Sequence, residues 1–197
     1  MTMNPTVTER MKNVRTYAAN CLKEEAQAIM SLIPLLDDNF DKAVEMMYSC
    51  QGKVIITGVG KSGHIGAKIA ATLSSTGTPS FFLNPLDAYH GDLGVVTSQD
   101  IVVAISNSGQ TDELLRFVPM LIHMGIPIIG MSGNPKSLLA KYSNVHINVA
   151  VEREACPLNL APTSSTTAVL SMGDALAVAL MVVRNFKPKD FAQFHPG

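Results

Sequence analysis

The chain contains no tryptophan, aromatic residues make up only 6% of it, and neither sign of charge dominates: fifteen Lys and Arg stand against sixteen Asp and Glu, a formal net charge of -1. Without a basic excess there is no global field to draw the molecule onto nucleic acid or an anionic membrane, so any affinity for phosphate must be built locally. Cysteine is scarce too. Cys21, Cys50 and Cys156 are an odd number at long spacings, which suits reduced thiols better than a disulfide framework or a zinc cluster. No HxxxH or CxxC pair sets two ligands on one element, so a metal site is not expected. The opening MTMNPTVTERMKN lacks the apolar core of a secretory signal, which makes the cytoplasm the expected location. The longest apolar stretch, Ala168 to Val183, contains Gly173 and Asp174, falls short of the roughly 20 residues of a bilayer span, and reads as a buried helix.

What is present is apolar material in plenty. At 47% hydrophobic, 197 residues can bury a sizeable core against the entropy of folding, and one domain over 1–197 is expected, with N-terminal helices at about 6–50 and an α/β core at about 53–197. Residues 6 to 33 repeat at helical spacing, with Val14, Tyr17, Ala18, Cys21 and Leu22 on one side, until Pro34 breaks the pattern. A second helix is expected from Asp41 to Cys50. Five short runs follow: KVIITG at 53–58, SFFL at 80–83, IVVAIS at 101–106, PIIGMS at 127–132 and VHINVA at 145–150. Nearly continuous Val, Ile, Leu and Phe implies strands buried on both faces, as crossover helices bury a parallel sheet. Helical segments at 61–77, 111–125, 135–142 and 163–185 supply the cover, which predicts a three-layer αβα sandwich. In such sheets ligands bind beyond the carboxyl ends of the strands.

After the first run comes Gly58-Val59-Gly60-Lys61-Ser62-Gly63, formally GxGxxG. A dinucleotide site needs an acidic residue about 20 positions further on, where this chain has Leu83-Asn84-Pro85; a P-loop needs glycine where Ile55 stands. What remains is a glycine turn with a lysine and a hydroxyl at a helix N-terminus, suited to one anionic group such as a monophosphate, or simply a tight turn with an exposed lysine and a capping serine. After the third run, Ser106-Asn107-Ser108-Gly109-Gln110-Thr111-Asp112-Glu113 sets three hydroxyls around one glycine at the start of a helix. That loop can give a phosphate several neutral donors, whereas ordinary capping would use one hydroxyl and leave two idle.

Together Gly60, Ser62, Ser106, Ser108, Gly109 and Thr111 resemble the phosphate cradle of the sugar isomerase (SIS) domain family, whose marker is an S-x-S-G-x-T loop after a strand. The resemblance implies a flavodoxin-like five-stranded parallel sheet. Within the family the chain is most similar to the arabinose 5-phosphate isomerases, on GVGKSGHIGAKIAATLSSTGTPSFFLNPLDAYHGDLG, AISNSG, ACPLNLAPTSSTTA, MGDALAVALM and DFAQFHPG. Two departures are visible. Many members continue past FHPG into a paired cystathionine-β-synthase regulatory module, while this sequence stops at Gly197 as a naturally short form or a trimmed one. Gln110 stands where many relatives have glutamate, and Glu113 matches the further carboxylate of that loop.

Aldose-ketose isomerisation needs a base beside the carbonyl and an acid or electrophile to stabilise a cis-enediol, with no electron leaving the substrate, so no metal or nicotinamide is required. Lys61, His64, His90, Glu113, Glu154 and His195 lie in segments that can face one cleft, and the resemblance points to Lys61, His90, Glu113, Glu154 and His195 as the catalytic set. His90, in Tyr89-His90-Gly91-Asp92, is the first choice for the base, the alternative being a histidine that orders its loop through Asp92. His195 would open the ring or position substrate, reaching the pocket of a neighbouring subunit. Glu154 could be acid, base or partner of Lys61, and Glu152 an ion pair with Arg153; His64, His123 and His146 are expected to be structural. The resemblance further implies a phosphosugar substrate, no cofactor, a homotetramer with shared sites, production of arabinose 5-phosphate from ribulose 5-phosphate for 3-deoxy-manno-octulosonate (Kdo) in lipopolysaccharide or capsule, and nucleotide-activated Kdo as a candidate inhibitor. Another isomerase of the fold, such as one acting on 3-hexulose 6-phosphate, and a non-catalytic phosphosugar sensor are the competing readings.

Overall fold

A computed structural model describes residues 7–195. The chain forms α1 (Val7–Lys12), α2 (Val14–Met30), α3 (Asp38–Ser49), β1 (Val54–Gly58), α4 (Gly60–Ser75), β2 (Ser80–Leu83) and α5 (Pro85–Ala88). There follow β3 (Ile101–Ile105), α6 (Asp112–His123), β4 (Ile128–Ser132), α7 (Leu138–Tyr142), β5 (Val145–Asn148), α8 (Ser164–Val183) and α9 (Pro188–Phe194). All five strands are parallel in the order β2-β1-β3-β4-β5, and one register row crosses the sheet through Leu83, Thr57, Ala104, Gly130 and His146.

The sheet is the expected doubly covered one, because alternate side chains of each strand enter different cores. On one face Ile56, Val103, Ile105, Ile129, Met131 and Ile147 meet the buried stripe of α8 together with α3 and α4. On the other, Ile55, Val102, Ala104 and Ile128 meet Leu114, Phe117, Val118 and Leu121 of α6 and Leu139 of α7. The chain leaves β1 for β2 on one side and returns to β3 on the other, so a crevice opens between the carboxyl ends of β1 and β3.

Several boundaries differ from expectation for local reasons. The first helix is two, parted at Asn13, whose side-chain amide donates to the Glu9 carbonyl at 3.1 Å; Thr6, its expected first residue, lies outside the described residues. The second begins at Asp38, not Asp41, since Asp37 caps it by accepting the Asn39 amide at 2.9 Å. The segment after β4 turns through Pro135 before Ser137 caps the short α7. The apolar helix α8 runs to twenty residues, long and apolar enough by length and composition to cross a membrane. Here it lies in the sandwich, with nine buried residues and Asp174 paired to Lys68 of α4 at 2.6 Å. All three cysteines are free thiols.

Candidate active site

Three helices start at the crevice. Val59, Lys61, Ser62 and Ile65 from the head of α4, Asn107, Ser108 and Thr111 from the loop into α6, and Pro162, Ser165, Thr166 and Val169 from the head of α8 line a cleft of about 300 Å³. The first turn of any helix carries amides without intrahelical partners and the positive end of its dipole. Neither Val59 nor Thr111, the residues preceding α4 and α6, caps its helix with a side chain. Those two ends therefore keep free N–H donors beside the Lys61 ammonium, an arrangement that favours an anion.

The loop between β3 and α6 is rigid because it is tied from within and from behind. Ser106 is buried at 2% exposure, with its hydroxyl 2.8 Å from that of Thr111 and accepting the Gly109 amide at 3.0 Å. Ser106 thus holds the loop together, and it is not among the residues that line the cleft. Ser108 is exposed and accepts the Gln110 amide at 3.1 Å, leaving its own hydrogen for a ligand. Gly109 takes a φ of +63°, where a Cβ would overlap the Ser137 side chain. Gly60 has a φ of +59° at the start of α4.

Of the other expected residues, Lys61, Ser62, Ser108 and Thr111 come together in the cleft; His90, Glu113, Glu154 and His195 are not among the residues that line it. His90 lies between α5 and a 3-10 turn at Asp92–Val95, exposed, beside Gly91 at φ +118°, and makes no side-chain hydrogen bond to Asp92. Glu113 is exposed in the first turn of α6, where the helix dipole favours a carboxylate. His195 ends α9, a helix not anticipated at a terminus expected to fray; its ring stacks on Phe191 at 3.8 Å and its Nδ1 lies 3.0 Å from the Phe191 carbonyl oxygen. Arg153 pairs with Glu24 of α2 at 3.4 Å, and not with Glu152, for which that ion pair was the alternative reading.

Glu154 is fully occupied. One carboxylate oxygen accepts the amides of Thr163 at 2.8 Å and Ser165 at 3.1 Å and the Thr163 hydroxyl at 3.2 Å, while the other accepts the Ser165 hydroxyl. Burial pushes its pKa upward, but the bonds from Ser165 and Thr163 outweigh that and hold it below the ordinary value. Glu154 therefore caps α8 and orients Ser165, which lines the cleft. Asn107, Ser165 and Thr166 are cleft residues that reading the sequence missed; the hydroxyl run Thr163 to Thr167 before an apolar helix was the available signal.

A doubly wound parallel sheet with uncapped helix ends, hydroxyls and one lysine at its switch point defines an anion-binding α/β protein of the kind that holds phosphorylated small molecules. The SIS domain model matches residues 47–179, and the chain belongs to that family. It is 53% identical over 173 residues to arabinose 5-phosphate isomerase KdsD of Pseudomonas aeruginosa, covering 88% of this chain and 53% of that protein. It is 53% identical over 182 residues to the protein of that name from Francisella tularensis, covering 91% and 56%. The chain thus spans about half the length of these curated relatives. Among solved structures, an Escherichia coli protein in complex with A5P superposes with a TM-score of 0.87 at 41% identity, over 98% of this chain and all of that one.

Proposed function

We propose that the chain is an aldose-ketose isomerase that interconverts D-ribulose 5-phosphate and D-arabinose 5-phosphate, the aldose serving as a precursor of Kdo. The observation that carries the reading is the cleft itself, where two uncapped helix ends, Lys61, Ser62, Ser108 and Thr111 converge on a volume that suits one small phosphate ester. The likeness to the A5P-bound protein and to the KdsD relatives supports arabinose 5-phosphate as the ligand.

With the phosphate held, the open-chain aldehyde lies at the far end of a five-carbon chain. A base removes the C2 proton, the C1 oxygen gains a proton, and the resulting cis-enediol loses its O2 proton as C1 is protonated, so the electrons stay within the substrate. The charge that develops on oxygen is stabilised by fixed donors and by the Lys61 cation. His90 remains the first choice for the base and His195 for ring opening, with Glu113 as a carboxylate two residues past Thr111 in the first turn of α6. Both imidazoles lie outside the cleft of their own chain, which supports a homotetramer whose neighbouring subunits complete each site. The same observation favours a second reading, a phosphosugar binder without catalysis, for a subunit on its own. Incubation with ribulose 5-phosphate in deuterium oxide separates the two: the isomerase places deuterium at C2 of the aldose, and neither turnover nor exchange above background would leave the binder.

A further inference from the structure

Behind the phosphate loop stands a wall of polar groups that the reaction does not use. Residues 132–140, from the end of β4 into α7, hold the loop through the Gly133 amide, which donates to the Asn107 carbonyl at 2.9 Å, and the Leu139 amide, which donates to the Gly109 carbonyl at 3.1 Å. The hydroxyls of Ser132 and Ser137, both fully buried, sit against the back of Gly109, so closely that a Cβ there would lie 3.1 Å from Ser132 Oγ and overlap Ser137. Ser132 Oγ lies 3.1 Å from the Asn134 carbonyl oxygen, 3.4 Å from Ser137 Oγ and 2.8 Å from Nε2 of His146, half-buried on β5, and accepts the Asn134 amide at 3.3 Å. The hydroxyl carries one hydrogen, so the imidazole donates through Nε2 when that hydrogen goes to the Asn134 carbonyl and accepts there when it goes to the ring.

We infer that the Ser132 and His146 pair is a positioning device for the phosphate site: the imidazole pins the buried Ser132 hydroxyl against Gly109 and so sets where the donors of residues 107–111 point. The inference rests on the reading that this loop grips the substrate phosphate. A buried serine that loses its shortest hydrogen bond can rotate or shift, and a few tenths of an ångström at the back of a packed glycine becomes a misdirected amide at the front. Neither residue touches the cleft, so both act through the loop.

The test uses the purified full chain and its Ser108→Ala, Ser132→Ala, His146→Phe and His146→Gln variants. Inorganic phosphate is titrated calorimetrically, KM and kcat are measured with arabinose 5-phosphate, and melting temperatures are recorded. His146→Phe and Ser132→Ala should each weaken phosphate and raise KM by about tenfold while kcat stays within about twofold, the loss expected from one misplaced hydrogen bond. His146→Gln, whose amide can donate or accept near the position of Nε2, should return both to within about threefold of the parent. If Ser108→Ala leaves phosphate binding intact, the loop is not the phosphate site. If Ser108→Ala weakens phosphate but Ser132→Ala and the His146 variants move only the melting temperature, or lower kcat with KM unchanged, the positioning role is overturned. Should His146→Phe fail to fold, Ser132→Ala, which only deletes an oxygen, decides the question by itself.

Discussion

The hydroxyl of Ser106 lies 2.8 Å from that of Thr111, five residues on, and closes the loop that carries Ser108 between them. If Ser106 donates across that contact, the Thr111 hydrogen stays free to point into the cleft. The two serines should then respond differently to truncation. Ser106→Ala removes the contact to Thr111 and one of the two acceptors of the Gly109 amide, which keeps the Ser106 carbonyl at 3.1 Å, and should cost about 1 kcal/mol, read by denaturant titration. Ser108→Ala should leave stability within about 0.5 kcal/mol, since the side chain is exposed, and raise KM for arabinose 5-phosphate by about tenfold.

Gly60 and Gly109 share a left-handed backbone but not a neighbourhood. Nothing in the protein lies within 4 Å of a Cβ added at Gly60, whereas one added at Gly109 runs into Ser137. Gly60→Ala should therefore cost only the conformational strain of about 1–2 kcal/mol. Gly109→Ala adds the overlap and should be the more destabilised of the two in chemical denaturation, by about another 1–3 kcal/mol. Equal losses would mean that the wall behind Gly109 gives way.

Acid should loosen the helix that closes the cleft. The Glu154 carboxyl is held below its ordinary value of 4.5, so the bonds it makes to the head of α8 contribute fully above that pH and are lost as the pH falls through the lower folded value. Buried Asp100 behaves alike, accepting the amides of Lys53 at 2.7 Å and Thr97 at 2.8 Å, with burial opposed by those bonds and its pKa lowered from 3.8. Glu154→Gln should cost about 1 kcal/mol near neutral pH, as loss of a helix cap does, and the gap to the parent should narrow below pH ~4 as the parent protonates. A gap independent of pH would show that the charge on Glu154 is immaterial.

Shared sites make a prediction about mixtures. Lys61 lines the cleft while His195 is stacked on Phe191 away from it. If each site takes lysine from one subunit and histidine from another, co-expressed Lys61→Ala and His195→Ala chains, each inactive alone, should recover about a quarter of parental activity by random pairing. No recovery, with hetero-oligomers verified by mass, would put both groups in one chain.

The sheet was readable because its strands are short, apolar and spaced for crossovers, a pattern that KVIITG, IVVAIS and PIIGMS each carry without help from distant residues. The cleft was readable in part for a similar reason: Lys61, Ser62, Ser108 and Thr111 follow directly on strand ends, where the fold class places ligands. Ser165 and Thr166 were missed because nothing in their own neighbourhood says that α8 begins at the same crevice as α4 and α6. That depends on how the chain from β5 to α8 crosses the sheet end, guided by the Glu154 cap.

By itself the sequence determined the alternation of strands and helices, the order of the hydroxyl-rich loops and the absence of any global charge, since each follows from local periodicity and composition. Only the tertiary structure decided that Ser106 faces inward, that Glu154 is tied to a helix end and that His146, through Ser132, backs the loop between β3 and α6. Which way a polar side chain turns is set by partners brought near by folding, and a buried hydroxyl or carboxylate takes whichever donors the packed chain leaves within reach.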